Sequence, residues 1–261
     1  MDKEKKRKLD LVLYGIAIPI NIFALYIIIF EFDNDIGEKI ALIIIGLSWL
    51  IYAISGFINN LNFWGYKMLK ISDILRNDFE WDEIQIDEDE FEELSAELVI
   101  DFLEKNTPKE RQLLAISWNF DNSKKVIRWI VEQPDTDKGT ILYLYWYMAP
   151  AFYKENYANR KECEEENPWS LEDYDIIDTI EKNYLSDFYT EQLYAFHPTD
   201  DVYSGGYDWT KEYDESKAKA KIPNVMFKAL DGKILENPGW EEGIPTALSE
   251  IMDKLCDALD E

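Results

Sequence analysis

Two long apolar runs open the chain, and beyond them short apolar stripes alternate with acidic residues. From Leu11 to Phe30, and again from Ile40 to Ile58, no side chain is ionisable apart from tyrosine phenols. Each run supplies the roughly 20 apolar residues that carry a helix across about 30 Å of hydrocarbon. The pattern therefore predicts a transmembrane hairpin with helices at about 10–31 and 39–59. Pro19 and Asn21 fall inside the first run and read as a kink and a helix–helix contact, both tolerated in membrane helices. Lys3, Lys5, Lys6, Arg7 and Lys8 precede the first run and Lys67, Lys70 and Arg76 follow the second, whereas the loop between holds Lys39 among four acids. Basic residues stay on the cytoplasmic side, which predicts a multi-pass cell-membrane protein with both termini cytoplasmic. A cleaved secretory leader fits less well, because the run is too long and exits into Glu31-Phe32-Asp33 rather than a small-residue cleavage site. Trp49, Tyr52, Phe63, Trp64 and Tyr66 mark an expected lipid–water boundary, with Asn60 to Leu75 lying along the surface.

The rest of the chain reads as mainly α. Phe91, Leu94, Leu98, Val99, Phe102 and Leu103 recur at helical spacing. Thr107-Pro108-Lys109-Glu110 offers a capping box with proline at the first helical position, opening a helix to about Trp118. Val126, Ile127, Ile130 and Val131 continue the stripe up to Pro134. Ile141 to Met148 (ILYLYWYM) is apolar throughout, and its periodicity does not choose between buried helix and buried strand. Ser170 with Asp173 predicts a capped helix through Tyr184, and Ile244 to Leu259 predicts a closing one. Phe188 to Phe196 predicts a short strand, the minor β element, and Thr199 to Asp214 a long loop.

Charge sharpens this division. The 261 residues carry 27 Lys and Arg against 53 Asp and Glu, for a net charge of -26. Beyond Arg76 the tally is 18 against 45, a charge of -27, so the whole surplus lies in the C-terminal part. Such a surface repels phosphate backbones, which excludes nucleic acid as an expected partner. The predicted organisation is a membrane anchor over 1–76, a self-repelling acidic linker over 77–90, and an acidic cytoplasmic helical domain over 91–261. A composition that is 47% hydrophobic and 15% aromatic separates that domain from acidic disordered chains.

Candidate chemistry is sparse. His197 is the only histidine, and no Gly-rich phosphate loop occurs. Cys163 and Cys256 follow no metal or redox spacing and read as ordinary packed thiols. Asp135 with Asp137 is the nearest thing to an acid–base pair. No catalytic residue, metal or cofactor is expected. The loop from Asp200 to Asp214 differs in character: Asp200, Asp201, Tyr203, Tyr207, Trp209 and Tyr213 set aromatics in an acidic rim around Gly205-Gly206. That combination suits a protein-binding surface, although the same aromatics could pin the loop to a core.

One stretch carries a resemblance. Leu114-Ala115, Trp118-Asn119-Phe120-Asp121, Pro134, Asp137, Gly139-Thr140, Tyr145-Trp146 and Pro150 together resemble the bacterial domain-of-unknown-function family four-two-seven-four, over Glu110 to Tyr153. Phe120, Thr136 and Ile141 depart from that family's Asn-Trp-Asp and Cys-Asp-x-Gly-Thr-Ala-Leu patterns. The resemblance implies a helical domain and no reaction. Trp118, Asn119, Asp121, Asp137, Gly139, Thr140, Trp146 and Pro150 then read as structural: turn and cap formers, a position for positive φ, and core aromatics. The expected function is a membrane-tethered, non-catalytic interaction module of the immunity type, held by the lipid bilayer and capturing a basic protein. The alternative is a structural or oligomerising membrane protein whose hairpin carries the function.

Overall fold

The computed structural model describes residues 3–30, 43–55, 69–81 and 84–259. The chain divides into two units, Met1–Met68 and Leu69–Glu261. In the first, α1 (Lys3–Phe30) has Pro19 inside it, and α2 comprises residues 43–55. Their contact is close because Gly46 faces Leu25, where a methyl group would stand 2.6 Å from Leu25 Cδ2. Tyr14 and Tyr52 add an edge-to-face ring pair at 6.3 Å. The Asn21 side chain donates back to the Ala17 carbonyl of its own helix at 2.8 Å, so the helix–helix contact expected of it is not the hydrogen bond it makes.

The expected transmembrane hairpin is corrected here. Among the described residues, no helix is long and apolar enough to cross a membrane. The first turns of α1 are the charged segment KEKKRKLD. The multi-pass cell-membrane localisation falls with it. The connection over 31–42, and Phe63, Trp64 and Tyr66, lie outside the described residues.

In the second unit, α3 (Ile71–Ile74) leads into the acidic stretch read as a free linker. Its apolar positions are in fact used: Phe79, Trp81 and Ile84 pack on the core, Ile86 is buried, and Ile86 N donates to Ala258 O at 2.9 Å. Glu88, Asp89 and Glu90 form the first turn of α4 (Glu88–Lys105), and Asp87 and Glu90 close a capping box. Acids there complement the exposed N–H groups and positive end of the helix dipole, so this charge run favours the helix. The predicted box at Thr107 and Glu110 opens α5 (Pro108–Ala115), and α6 spans Lys124–Val131.

The ambiguous run is helix α7 (Lys138–Tyr147), capped by Asp137. A helix apolar on every face must be surrounded, and α7 is, by α5, α8 (Pro150–Asn156) and α10 (Leu171–Leu185). Its polar tips all find partners: Thr140 Oγ1 donates to Gln112 at 2.6 Å, Tyr145 OH to Glu181 at 2.7 Å, and Trp146 Nε1 to Met226 O at 2.9 Å. Between α8 and α10 lie α9 (Arg160–Glu166) and a short 3-10 turn over Pro168–Ser170. Ser170 occupies the N-cap position of α10 without making a cap hydrogen bond, contrary to expectation. The closing helix α11 (Ser249–Asp257) packs on α4.

The predicted strand at Phe188 to Phe196 does not form. Among the described residues β structure is limited to isolated bridges, including Tyr194 with Lys233 and Phe196 with Leu230. Leu193 N and Tyr194 N donate to the distant Asp137 carboxylate instead of to a neighbouring strand.

Candidate functional site

The residues of the family pattern fall into two structural clusters. Asp137 is 1% exposed; its carboxylate accepts from Gly139 N at 2.7 Å, from Leu193 N, and from Tyr194 N at 3.3 Å. One side chain thus caps α7 and clamps the 193–194 backbone to it. Burial pushes the Asp137 carboxyl above its ordinary range, and the backbone N–H groups pull against that shift. Gly139 permits the clamp, since a methyl there would overlap the Tyr194 carbonyl oxygen. Trp146 fills the core, and Pro150 starts α8 after Ala149 turns at φ 51°.

The second cluster is the turn after α5. Asn119 accepts from Asp121 N at 2.9 Å and donates to the Glu242 carboxylate, while Asn122 donates to Glu242 O at 2.9 Å. Trp118 packs against Gly243, whose φ is 81°.

The aromatic loop is pinned rather than displayed. Asp201 is 1% exposed and accepts from Tyr147 OH at 2.8 Å, Trp209 Nε1 at 2.9 Å and Tyr203 N at 2.9 Å. Around it Tyr143 and Tyr147 stack with centroids 3.9 Å apart, Trp209 lies 4.6 Å from Tyr147, and Tyr203 meets Tyr143 edge-on at 5.6 Å. Tyr213 OH accepts weakly from Ile222 N at 3.4 Å. Asp200 and Tyr207 are the members that remain exposed. The loop's composition suited both a display surface and a core staple; only the placement of Asp201 under Tyr147 separates them.

Nor do the acid–base candidates share a site. Asp135 pairs with Arg111 at 2.7 Å, which holds its carboxyl below the usual range, while Asp137 turns to the backbone. His197 Nε2 lies 3.3 Å from the exposed Asp231 carboxylate. Among the described residues, no group of three or more His, Cys, Asp and Glu is placed to hold a metal ion.

Two features have no counterpart in the sequence pattern. Lys154 Nζ meets Glu181 at 2.7 Å, with both side chains under a tenth exposed, and Tyr145 OH donates to the other Glu181 oxygen. This triad joins α8, α10 and α7. Burial raises the Glu181 carboxyl, opposed by Lys154 and Tyr145. The other is an open groove of about 470 Å³ between α4, the turn at Trp118 to Ser123 and α11. Its walls hold Phe91, Ala96, Val99, Ile244 and Met252, and its lip holds Glu92, Asp121 and Glu242. Cys256 also lines it and is exposed, unlike the buried Cys163, so the expectation of two packed thiols holds for one of them. Residues so distant in sequence gave no linear signal.

Residues 106–185, which contain the family-pattern residues of both clusters and the Lys154–Glu181 pair, match the model of the family described as Domain of unknown function (DUF4274). No curated protein and no solved structure matches the chain.

Proposed function

Proceeding from a family match that names no reaction, we propose that the C-terminal unit is a non-catalytic interaction module that captures a basic protein. The supporting observation is where the cations are engaged. Lys105, Lys125, Arg128, Arg160, Lys182 and Lys219, among others, are already in ion pairs with the unit's own acids. With 45 acids against 18 bases beyond Arg76, this internal pairing leaves a surface on which carboxylate predominates. A field of that sign accelerates encounter with a cationic protein by roughly 10- to 1,000-fold and weakens as salt is added. Within this class, the charge favours an immunity factor that neutralises a basic effector.

The test is affinity capture with the full-length chain as bait at low and high salt, followed by binding measurements with each purified candidate. A basic protein that binds reversibly, with an association rate falling at least tenfold between about 50 and 500 mM salt, is the expected result. Salt-independent binding, or no basic protein bound, overturns the reading.

A further inference from the structure

Resting on the capture of a basic partner by this unit, we propose that the groove between α4, the Trp118 turn and α11 is the docking slot for a partner segment with an apolar anchor flanked by lysine or arginine. Three observations converge. The floor is apolar, through Phe91, Ala96, Val99 and Met252, while Glu92, Asp121 and Glu242 stand at the lip. An apolar side chain fits the first and flanking cations fit the second. The volume of about 470 Å³ falls within the roughly 300–1,000 Å³ of ligand-binding clefts.

Two of the residues that line the groove carry a buried polar atom without a partner. Trp118 is 8% exposed, and its Nε1 and the Ser95 hydroxyl are both buried without a hydrogen-bond partner. Buried polar groups are nearly always paired, and an indole N–H can only donate. Trp118 and Asp121 belong to the family pattern and line the groove together. A second copy of this chain is a poor occupant, because each carries a net charge of -26 and the two would repel.

Cys256 gives a direct reading of occupancy, since it lines the groove and is exposed while Cys163 is buried. Burial, with Asp253 and Asp257 nearby, raises the Cys256 thiol above its ordinary value of 9.0, so at about pH 8.5 a minor thiolate fraction carries its alkylation by N-ethylmaleimide, which is followed there with and without peptide. The probe is a capped lysine peptide with a central leucine anchor, and its control has serine in place of leucine. With the full-length chain at low salt, the leucine peptide binds about tenfold tighter than the control, the gain from burying one such side chain, and slows Cys256 alkylation. Alkylating Cys256 beforehand abolishes that difference, and Cys256→Ser retains it. If both peptides bind equally and neither protects Cys256, the groove is not the slot while acidic capture stands. If neither binds at low salt, capture itself fails and the slot with it.

Discussion

Asp137 shows how much one side chain can hold together. It satisfies three backbone N–H groups from two separate segments, and leaving such donors buried without acceptors costs about 1–3 kcal/mol apiece. Asp137→Asn keeps the shape but presents an amide to N–H groups, so the unfolding free energy should fall by about 1–3 kcal/mol in urea titration; an unchanged midpoint would show that the clamp adds no stability. Asp135 responds to acid differently. Its folded carboxyl sits below the ordinary value of 3.8 because Arg111 bonds to it. Its contribution is therefore present above pH 3.8 and lost as pH falls through the lower folded value. Asp135→Asn should lower stability at neutral pH and converge with the parent chain in strong acid, as followed by urea midpoints across pH. A constant gap at all pH values would show that the pair contributes through packing alone. In sequence, Asp137, Gly139 and Thr140 read as a turn with Gly139 free to take positive φ, but Gly139 does not adopt positive φ and its smallness instead makes room for the Tyr194 carbonyl; that the Asp137 carboxylate grips residues 193 and 194 could not be read, because its partners lie more than fifty positions away.

Between elements, the buried pair of Lys154 and Glu181 is the tie that apolar stripes do not reveal. With both side chains under a tenth exposed, removing one partner strands the other charge, whereas replacing both can be neutral. Lys154→Met should cost about 3–5 kcal/mol, and Lys154→Met with Glu181→Leu and Tyr145→Phe should recover most of it. Chemical denaturation of the single and triple variants decides this; a triple variant no better than the single would show that the triad adds net stability. Helix periodicity was legible for α4, α5 and α6, and the capping box for α5, because amphipathic stripes and capping boxes are local; the box at Asp87 and Glu90 fell in the stretch read as a linker. The run that became α7 was not, because complete burial erases the polar face that distinguishes a helix from a strand.

For the molecule as a whole, the acidic surplus governs the response to salt. A chain with net charge -26 stores self-repulsion that salt screens, with a Debye length of about 10 Å at 0.1 M. Its melting temperature should rise by several degrees between low salt and about 0.3 M sodium chloride, while association with a basic partner slows over the same range. A melting temperature that falls with salt would mean that the internal ion pairs outweigh the repulsion. The apolar N-terminal runs are a counterexample to reading the whole from one scale. Run length predicted two membrane spans, but among the described residues no helix is long and apolar enough to cross a membrane.

The sequence by itself determined the helical stripes, the Thr107–Glu110 capping box, the resemblance now matched over residues 106–185, and the acidic surplus. Each depends on residue type or on spacing within a few turns. Tertiary structure alone decided that Asp201 is an anchor beneath Tyr147 and Trp209, that Lys154 meets Glu181, and that α4, the Trp118 turn and α11 enclose a groove. Those outcomes depend on which distant segments share a wall, and linear spacing carries no record of that because burial and pairing are set by the whole packed core.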